Sequence, residues 1–263
     1  MSGRITVVGI GPGAPEHITV AARQAIECAD IILGYKTYLQ LIAHLSPDVP
    51  REASGMRQEV DRVHRAVSLA QEGKRVALIS GGDPGIYGMA GLVYEVLRDR
   101  NATVVVEVVP GVSALNAAAA LLGAPLMHDF AAISLSDLLT PLEDILQRVE
   151  VAARADFVLC LYNPKSHERT RPLLEAAKIL ARYRAPETPV GVVRLAYREG
   201  QQVSMISLAE LCAGQAEIDM STIIIVGNSR TFVYEGKMVT PRGYGAQYDL
   251  GAGQRTGVLP RSR

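Results

Sequence analysis

Three short runs rich in β-branched residues, Ile5–Gly9, Val76–Ile79 and Val104–Val109, each end in a glycine-rich turn. The turns read GIGPG (9–13), SGGDPG (80–85) and PGVSA (110–114). Continuous apolar runs of this kind suit parallel strands buried on both faces. Between them, Val60, Val63, Val67 and Ala70 recur at helical spacing until Gly73, and Thr19 and Ser113 stand where helix N-caps belong. Strand and helix therefore alternate as far as Gly123, which predicts a mainly parallel sheet with its loops gathered at the carboxyl ends of the strands. In such a sheet the three turns lie side by side and build one site. Asp83-Pro84-Gly85 has the residues of a tight turn. Gly81, Gly82 and Gly88 exceed what a turn needs, and a backbone without Cβ atoms lets something approach closely.

After Gly123 the stretch APLMHD (124–129) breaks the alternation and reads as a linker. A second set follows, with strands at 131–134, 157–161, 190–195, near Val203 and at 222–226. Its helices are expected at 142–153, 168–184 and after Ser207, and a hairpin at Glu235-Gly236. The expected fold class is α/β, with two α/β domains and a cofactor cleft between them. The boundaries read 1–124, with the glycine loops and a substrate trough, and 125–244, completing the cofactor site. A tail over 245–263, rich in Gly and Arg, is expected to be disordered.

Composition removes several function classes. Formal net charge is zero, Trp is absent and Phe occurs three times, so neither a nucleic-acid surface nor a base-stacking platform is expected. Cys28, Cys160 and Cys212 lie far apart among apolar neighbours and read as buried free thiols in a reducing cytoplasm. No pair of His or Cys has metal-ligand spacing, so no protein-bound metal is expected. The first strand follows the N-terminus at once, leaving no room for a signal peptide, and no apolar run reaches the ~20 residues of a membrane span.

GIGPGA formally fits the dinucleotide pattern G-x-G-x-x-A. Pro12 and Pro15 interrupt the point where that helix begins, and Asp30 precedes its strand instead of ending it, so the pattern argues poorly for a nicotinamide or flavin. A different resemblance covers Ile5 to about Tyr244. GIGPGAPEHIT (9–19), GYKTYL (34–39), SGMRQEVDR (54–62), SGGDPGIYGMAG (80–91), PGVSALNAAAALLGAPLMHDF (110–130), LYNPKSHER (161–169) and VGNS (226–229) resemble the tetrapyrrole methyltransferases. The last two place the chain nearer the corrin branch than the uroporphyrinogen one.

The resemblance implies a homodimer that uses S-adenosylmethionine (SAM), releasing S-adenosylhomocysteine (SAH). Its implied reaction is C-17 methylation of precorrin-3B with ring contraction, in cobalamin synthesis. Cobalt-factor III is the alternative substrate within the family, and a non-catalytic carrier the alternative outside it. Pro12, Gly81, Gly82, Asp83, Ile86, Ser113 and Ala114 are implied to line the cofactor from the first domain. Tyr162, Gly191 and Thr222 are their implied counterparts in the second, Tyr162 departing from the Met usual in the uroporphyrinogen enzymes. Asp83, Tyr87, His128 and Asp129 are candidates for proton transfer; Asp83 reads equally as a turn residue, and His128-Asp129 reads more simply as polar linker. Arg57, Lys165, His167 and Arg169 are candidates for the macrocycle's carboxylates, against helix-start solvation. The implied partner is a small tetrapyrrole, and neither nucleic acid nor membrane is expected. A bulky residue at Gly82 is expected to block the cofactor while sparing the fold.

Overall fold

The structure, a computed structural model, describes residues 3–166, 168–251 and 253–255. The chain divides into two compact units, the first running to Ala117 with Leu195–Gln201 added, the second holding Ala118–Arg194 and the chain from Gln202. The division falls inside a helix and not at the expected 124/125 linker, because Leu122 already packs on the second unit's Gly191.

In the first unit the elements run β1 (Arg4–Gly9), α1 (Val20–Glu27), β2 (Ile31–Tyr35), α2 (Lys36–Leu41), β3 (Arg51–Ser54), α3 (Glu59–Gln71), β4 (Arg75–Ser80), α4 (Ala90–Asp99), β5 (Val105–Val109) and α5 (Ala114–Leu122). The sheet order is β3-β2-β4-β1-β5, and every pairing is parallel. Alternating residues of β1 feed two cores, as a strand buried on both faces requires. Ile5 and Val7 pack with Val63, Val67, Val93 and Leu97 of α3 and α4, while Val8 packs with Ile26, Leu39 and Ile42 on the other face. Thr19 caps α1, its hydroxyl accepting from Ala22 N at 3.1 Å. At the amino ends of the strands Asp30 receives both the backbone N and the guanidinium of Arg75, each at 2.7 Å.

In the second unit come β6 (Gly123–Ala124), β7 (Phe130–Ser134), α6 (Leu142–Arg154), β8 (Val158–Tyr162), α7 (Arg171–Leu180), β9 (Pro189–Arg194), β10 (Gln202–Ser207), α8 (Leu208–Cys212), β11 (Thr222–Val226), β12 (Phe232–Tyr234) and β13 (Lys237–Val239). Its main sheet, ordered β10-β9-β11-β8-β7, is mixed: β7 and β8 are parallel and the other neighbours antiparallel. Ser207 and Glu210 form a reciprocal capping box on α8. The helix expected from Glu168 begins only at Arg171. Ser166 and Arg169 close a turn on each other first, and Pro172 is accommodated in the first turn of the helix. Where disorder is expected beyond Tyr244, the described residues complete a 3-10 turn, Tyr244–Ala246, and form a two-residue strand pair, Tyr248–Asp249 with Gln254–Arg255.

Arg184 is a buried staple of this unit. Its guanidinium donates to the carbonyls of Ala153 (2.6 Å), Phe157 (3.1 Å) and Gly227 (3.4 Å), with Asp156 at 3.2 Å. The cysteines differ from expectation. Cys160 on β8 is buried, and burial pushes its thiol up to about 12, but Cys28 and Cys212 are exposed. No helix among the described residues is long and apolar enough to cross a membrane.

Candidate active site

The strand order places β4, β1 and β5 side by side, so the loops leaving their carboxyl ends share one edge of the first sheet. They are joined by backbone. Gly11 and Gly82 exchange a reciprocal pair of hydrogen bonds, N to O at 3.1 Å and 2.9 Å. Asp83 joins the second loop to the third: its Oδ1 accepts from Gly85 N at 2.8 Å and its Oδ2 from Gly111 N at 3.1 Å. The turn role of Asp83 is therefore real, and it extends to the neighbouring loop.

The surplus glycines have an answer in this geometry. A Cβ on Gly111 would lie 2.2 Å from Gly82 O, and one on Gly9 would lie 2.7 Å from Gly111 N. On Gly88 it would meet Pro84 O at 2.7 Å, and on Gly81 the Tyr38 ring at 2.6 Å. What approaches these glycines is the protein itself. Gly82 differs, because its Cβ would have room, with Ala114 N nearest at 3.5 Å, but its φ is +63°. A valine there would strain the backbone as well as add bulk, so the expected sparing of the fold does not follow.

Pro12, Gly81, Gly82, Asp83, Ser113 and Ala114 are thus brought to this one edge. Ser113 caps α5, accepting from Asn116 N at 3.2 Å and donating to Asn116 Oδ1 at 2.9 Å. Ile86 and Tyr87 lie further along the second loop and are exposed, and Tyr87 holds a φ of +53°. Arg57 is exposed at a φ of +63° beyond β3, two strands away from β4.

In the second unit Tyr162 is buried at the carboxyl end of β8, and Lys165, just beyond, has no hydrogen-bond or ionic partner among the described residues. Gly191 is explained by packing, since a Cβ there would meet Leu122 Cδ1 at 2.3 Å. The Thr222 hydroxyl donates to Asp219 Oδ1 at 3.1 Å and accepts from Asp219 N at 3.1 Å, which ties it down locally. Arg169 is not a free arm. Its guanidinium donates to Leu135 O (2.6 Å) and Asn163 O (2.8 Å), with Asp137 at 3.7 Å, and so pins the loops after β7 and β8. Asp129 precedes β7. The register Phe130 to Val158 and Ser134 to Tyr162 puts it at the opposite end of its sheet from Tyr162, ~16 Å away along the strands. Its neighbour His128 turns Nδ1 back to accept from Asp129 N at 2.8 Å. His167 lies outside the described residues.

Two residues at the first unit's edge were missed by sequence reasoning. Tyr38 packs its ring against Gly81, and Arg198 rests its guanidinium carbon 6.0 Å from the centre of that ring. Arg198 also donates from Nε to Pro12 O. Tyr38 lies within the quoted GYKTYL, while the segment around Arg198 offers only a polar loop with a glycine, which is no signal.

The edge suits a zwitterionic cofactor. Asp83 supplies a carboxylate for a cation, the amino end of α5 supplies backbone N–H groups, and Arg198 supplies a cation for an anion. Among the described residues no three His, Cys, Asp or Glu side chains cluster as metal ligands. A cavity of about 220 Å³ beside α1, lined by Arg4, Gln24, Cys28, Arg75 and Glu107, is elsewhere, against the sheet's β1–β5 side.

The family model for Tetrapyrrole (Corrin/Porphyrin) Methylases matches residues 4–212. A cobalt-factor III methyltransferase of Priestia megaterium is 52% identical over 95% of this chain, which spans only 47% of that protein's length. A probable cobalt-factor III C(17)-methyltransferase of Salmonella typhimurium is 47% identical over 91% of this chain and 99% of its own. A precorrin-3B C(17)-methyltransferase of a Sinorhizobium species is 40% identical over 93% and 98%. Among solved structures, the methyltransferase CobJ superposes with a TM-score of 0.85 at 36% identity, covering 91% of this chain and all of that one. A uroporphyrin-III C-methyltransferase of Thermus thermophilus, complexed with S-adenosyl homocysteine, gives 0.67 at 28% identity over 86% and 97%.

Proposed function

Because the chain belongs to the tetrapyrrole (corrin/porphyrin) methylase family, as a SAM-dependent methyltransferase of cobalamin biosynthesis, we propose that it methylates C-17 of a precorrin-3-type macrocycle with ring contraction. The observation that carries this reading is the stitched edge of three glycine loops on a chain of this family. The preferred substrate is cobalt-factor III. The sequence expectation put metal-free precorrin-3B first, but relatives named for cobalt-factor III are 52% and 47% identical against 40% for the one named for precorrin-3B.

When bound, SAM supplies an activated methyl group on a sulfonium, so the protein's share is to bind, align and exclude water. In this reading Gly81, Gly82 and Ala114 give backbone contact at the first unit's edge. Asp83, fixed by two backbone N–H groups, holds negative charge beside a cationic cofactor. Asp83 and Tyr87 are the proton-handling candidates, and Asp129 is set aside for its position. Tyr162 is the proposed cofactor contact from the second unit, and Lys165, with Arg57, a contact for macrocycle carboxylates. A cytoplasmic homodimer belongs to the same reading. It is supported by the unpaired cysteines and by the edge strand β5, where Val105 is 58% exposed.

Anaerobic incubation with SAM and either cobalt-factor III or precorrin-3B, followed by mass detection, tests the proposal. One added methyl group is expected with both, faster with cobalt-factor III. Methyl incorporation into neither would overturn the reaction, and a faster rate on precorrin-3B would reverse the substrate order.

A further inference from the structure

The chain holds several buried or half-buried arginines, and they differ in what their nitrogens do. Arg62 donates to Ser54 Oγ and to Gly55 O at 3.1 Å, while Arg169 and Arg184 spread their forks over backbone carbonyls and lie near an aspartate. These are structural arginines. Among the described residues Arg198 makes one side-chain hydrogen bond, from the inner Nε to Pro12 O, and its two terminal nitrogens have no partner there. It has no ion pair among them either, and burial pulls its pKa below that of free arginine, with only Tyr38 opposing. A partly desolvated cation without an anion carries a cost that a bound anion would offset.

The surroundings hold this fork in place. Its stem passes over Gly13, where a Cβ would lie 2.5 Å from Arg198 Cγ, and its plane rests by Tyr38, which Gly81 admits in turn. The segment carrying it, Leu195–Gln201, has two non-glycine residues in left-handed conformation, Leu195 at φ +50° and Tyr197 at φ +54°. Tyr197 docks its ring 4.1 Å from that of His17. Strained backbone, two aromatic supports and two glycines that leave room thus converge on one side chain. An arginine needed only to anchor the loop would not leave its paired nitrogens open.

We infer that Arg198 presents its guanidinium fork to a carboxylate of the bound small molecule, at the edge formed by Pro12, Gly13, Tyr38 and Gly81. The inference rests on the methyltransferase reading, which offers two carboxylate sources, the amino-acid end of the cofactor and the acid side chains of the macrocycle. A planar fork binds both oxygens of either, which an ammonium cannot.

Arg198→Met keeps the stem and removes the charge, and Arg198→Lys keeps the charge and removes the fork; the same measurements on both cover a variant that fails to fold. Calorimetry with SAH and with methylthioadenosine, which lacks the amino-acid end, is paired with KM for cobalt-factor III. If the carboxylate is the cofactor's, SAH binds about tenfold more weakly and methylthioadenosine is unchanged, the size expected for one charge-assisted pair. If it is the macrocycle's, SAH is unchanged and KM rises about tenfold. Folded variants with unchanged SAH affinity and unchanged KM overturn the inference and leave the methyltransferase reading intact. Wild-type protein that binds neither SAH nor tetrapyrrole overturns both.

Discussion

Replacing Gly111 by alanine adds one methyl group at the most crowded point of the loop edge. The new carbon would lie 2.2 Å from Gly82 O and 2.8 Å from both C and O of Gly9. All three are backbone atoms, so no flexible side chain can give way, and the third loop must retreat by roughly 1 Å to restore ordinary contact. That retreat pulls Gly111 N from Asp83 Oδ2, now at 3.1 Å, and loosens the Gly11–Gly82 pair. Overpacking costs about 1–3 kcal/mol and a hydrogen bond to a charged group about 1.5–3 kcal/mol, so a loss of ~2.5–6 kcal/mol is expected. Against a total stability of about 5–15 kcal/mol this is severe. Thermal unfolding followed by circular dichroism is expected to show a midpoint lowered by roughly 5–15 °C, with weaker SAH binding at temperatures where the variant is folded. A variant whose midpoint and SAH affinity both match wild type would refute the account of the edge as closely packed backbone.

Gly91→Ala is the opposite case: it is exposed on α4 with nothing within 4 Å of a Cβ, so a gain of ~0.5–1 kcal/mol is expected, and a loss in denaturant titration would contradict it. Arg75 holds the Asp30 carboxyl down at about 2, below its ordinary value of 3.8. A depressed folded-state pKa adds stability above about pH 4 that disappears as pH falls toward 2, and for so exposed a pair it is worth only ~0.2–1 kcal/mol. Asp30→Asn is therefore expected to be less stable than wild type at pH 6 and equal to it near pH 2, and a difference that persists through that window would exclude the pair as its source. Arg184→Met strands the carbonyls of Ala153, Phe157 and Gly227 in the interior, and a loss of ~3 kcal/mol or more is expected in urea unfolding; an unmoved midpoint would count against the staple.

The edge was legible because apolar run and glycine turn are adjacent in sequence, and parallel pairing turns that adjacency into a shared edge. What the glycines admit was not legible. Gly111 is small because of Gly82 and Gly9, and Gly81 because of Tyr38, contacts between residues tens of positions apart that no local pattern encodes. β3 escaped notice because an edge strand of four mostly polar residues, REAS, carries no alternation. Arg169 shows the limit from the other side: an arginine beside Asn163-Pro164 suggests a ligand until its fork is seen bound to Leu135 and Asn163 carbonyls. Arg198 was silent for the same reason, since only packing separates a solvated loop arginine from a positioned one.

The uneven burial of the three cysteines turns the native chain into its own labelled instrument. Cys160, fully buried with a thiol near 12, yields almost no thiolate at neutral pH and stays silent to a maleimide dye. Cys28 belongs to the first unit and Cys212 to the second, both exposed. Burial raises the Cys212 thiol above its ordinary value. Donor and acceptor can therefore be placed on these two exposed thiols without a single substitution. Energy transfer between the two dyes then reports in real time whether SAH changes the separation of the units.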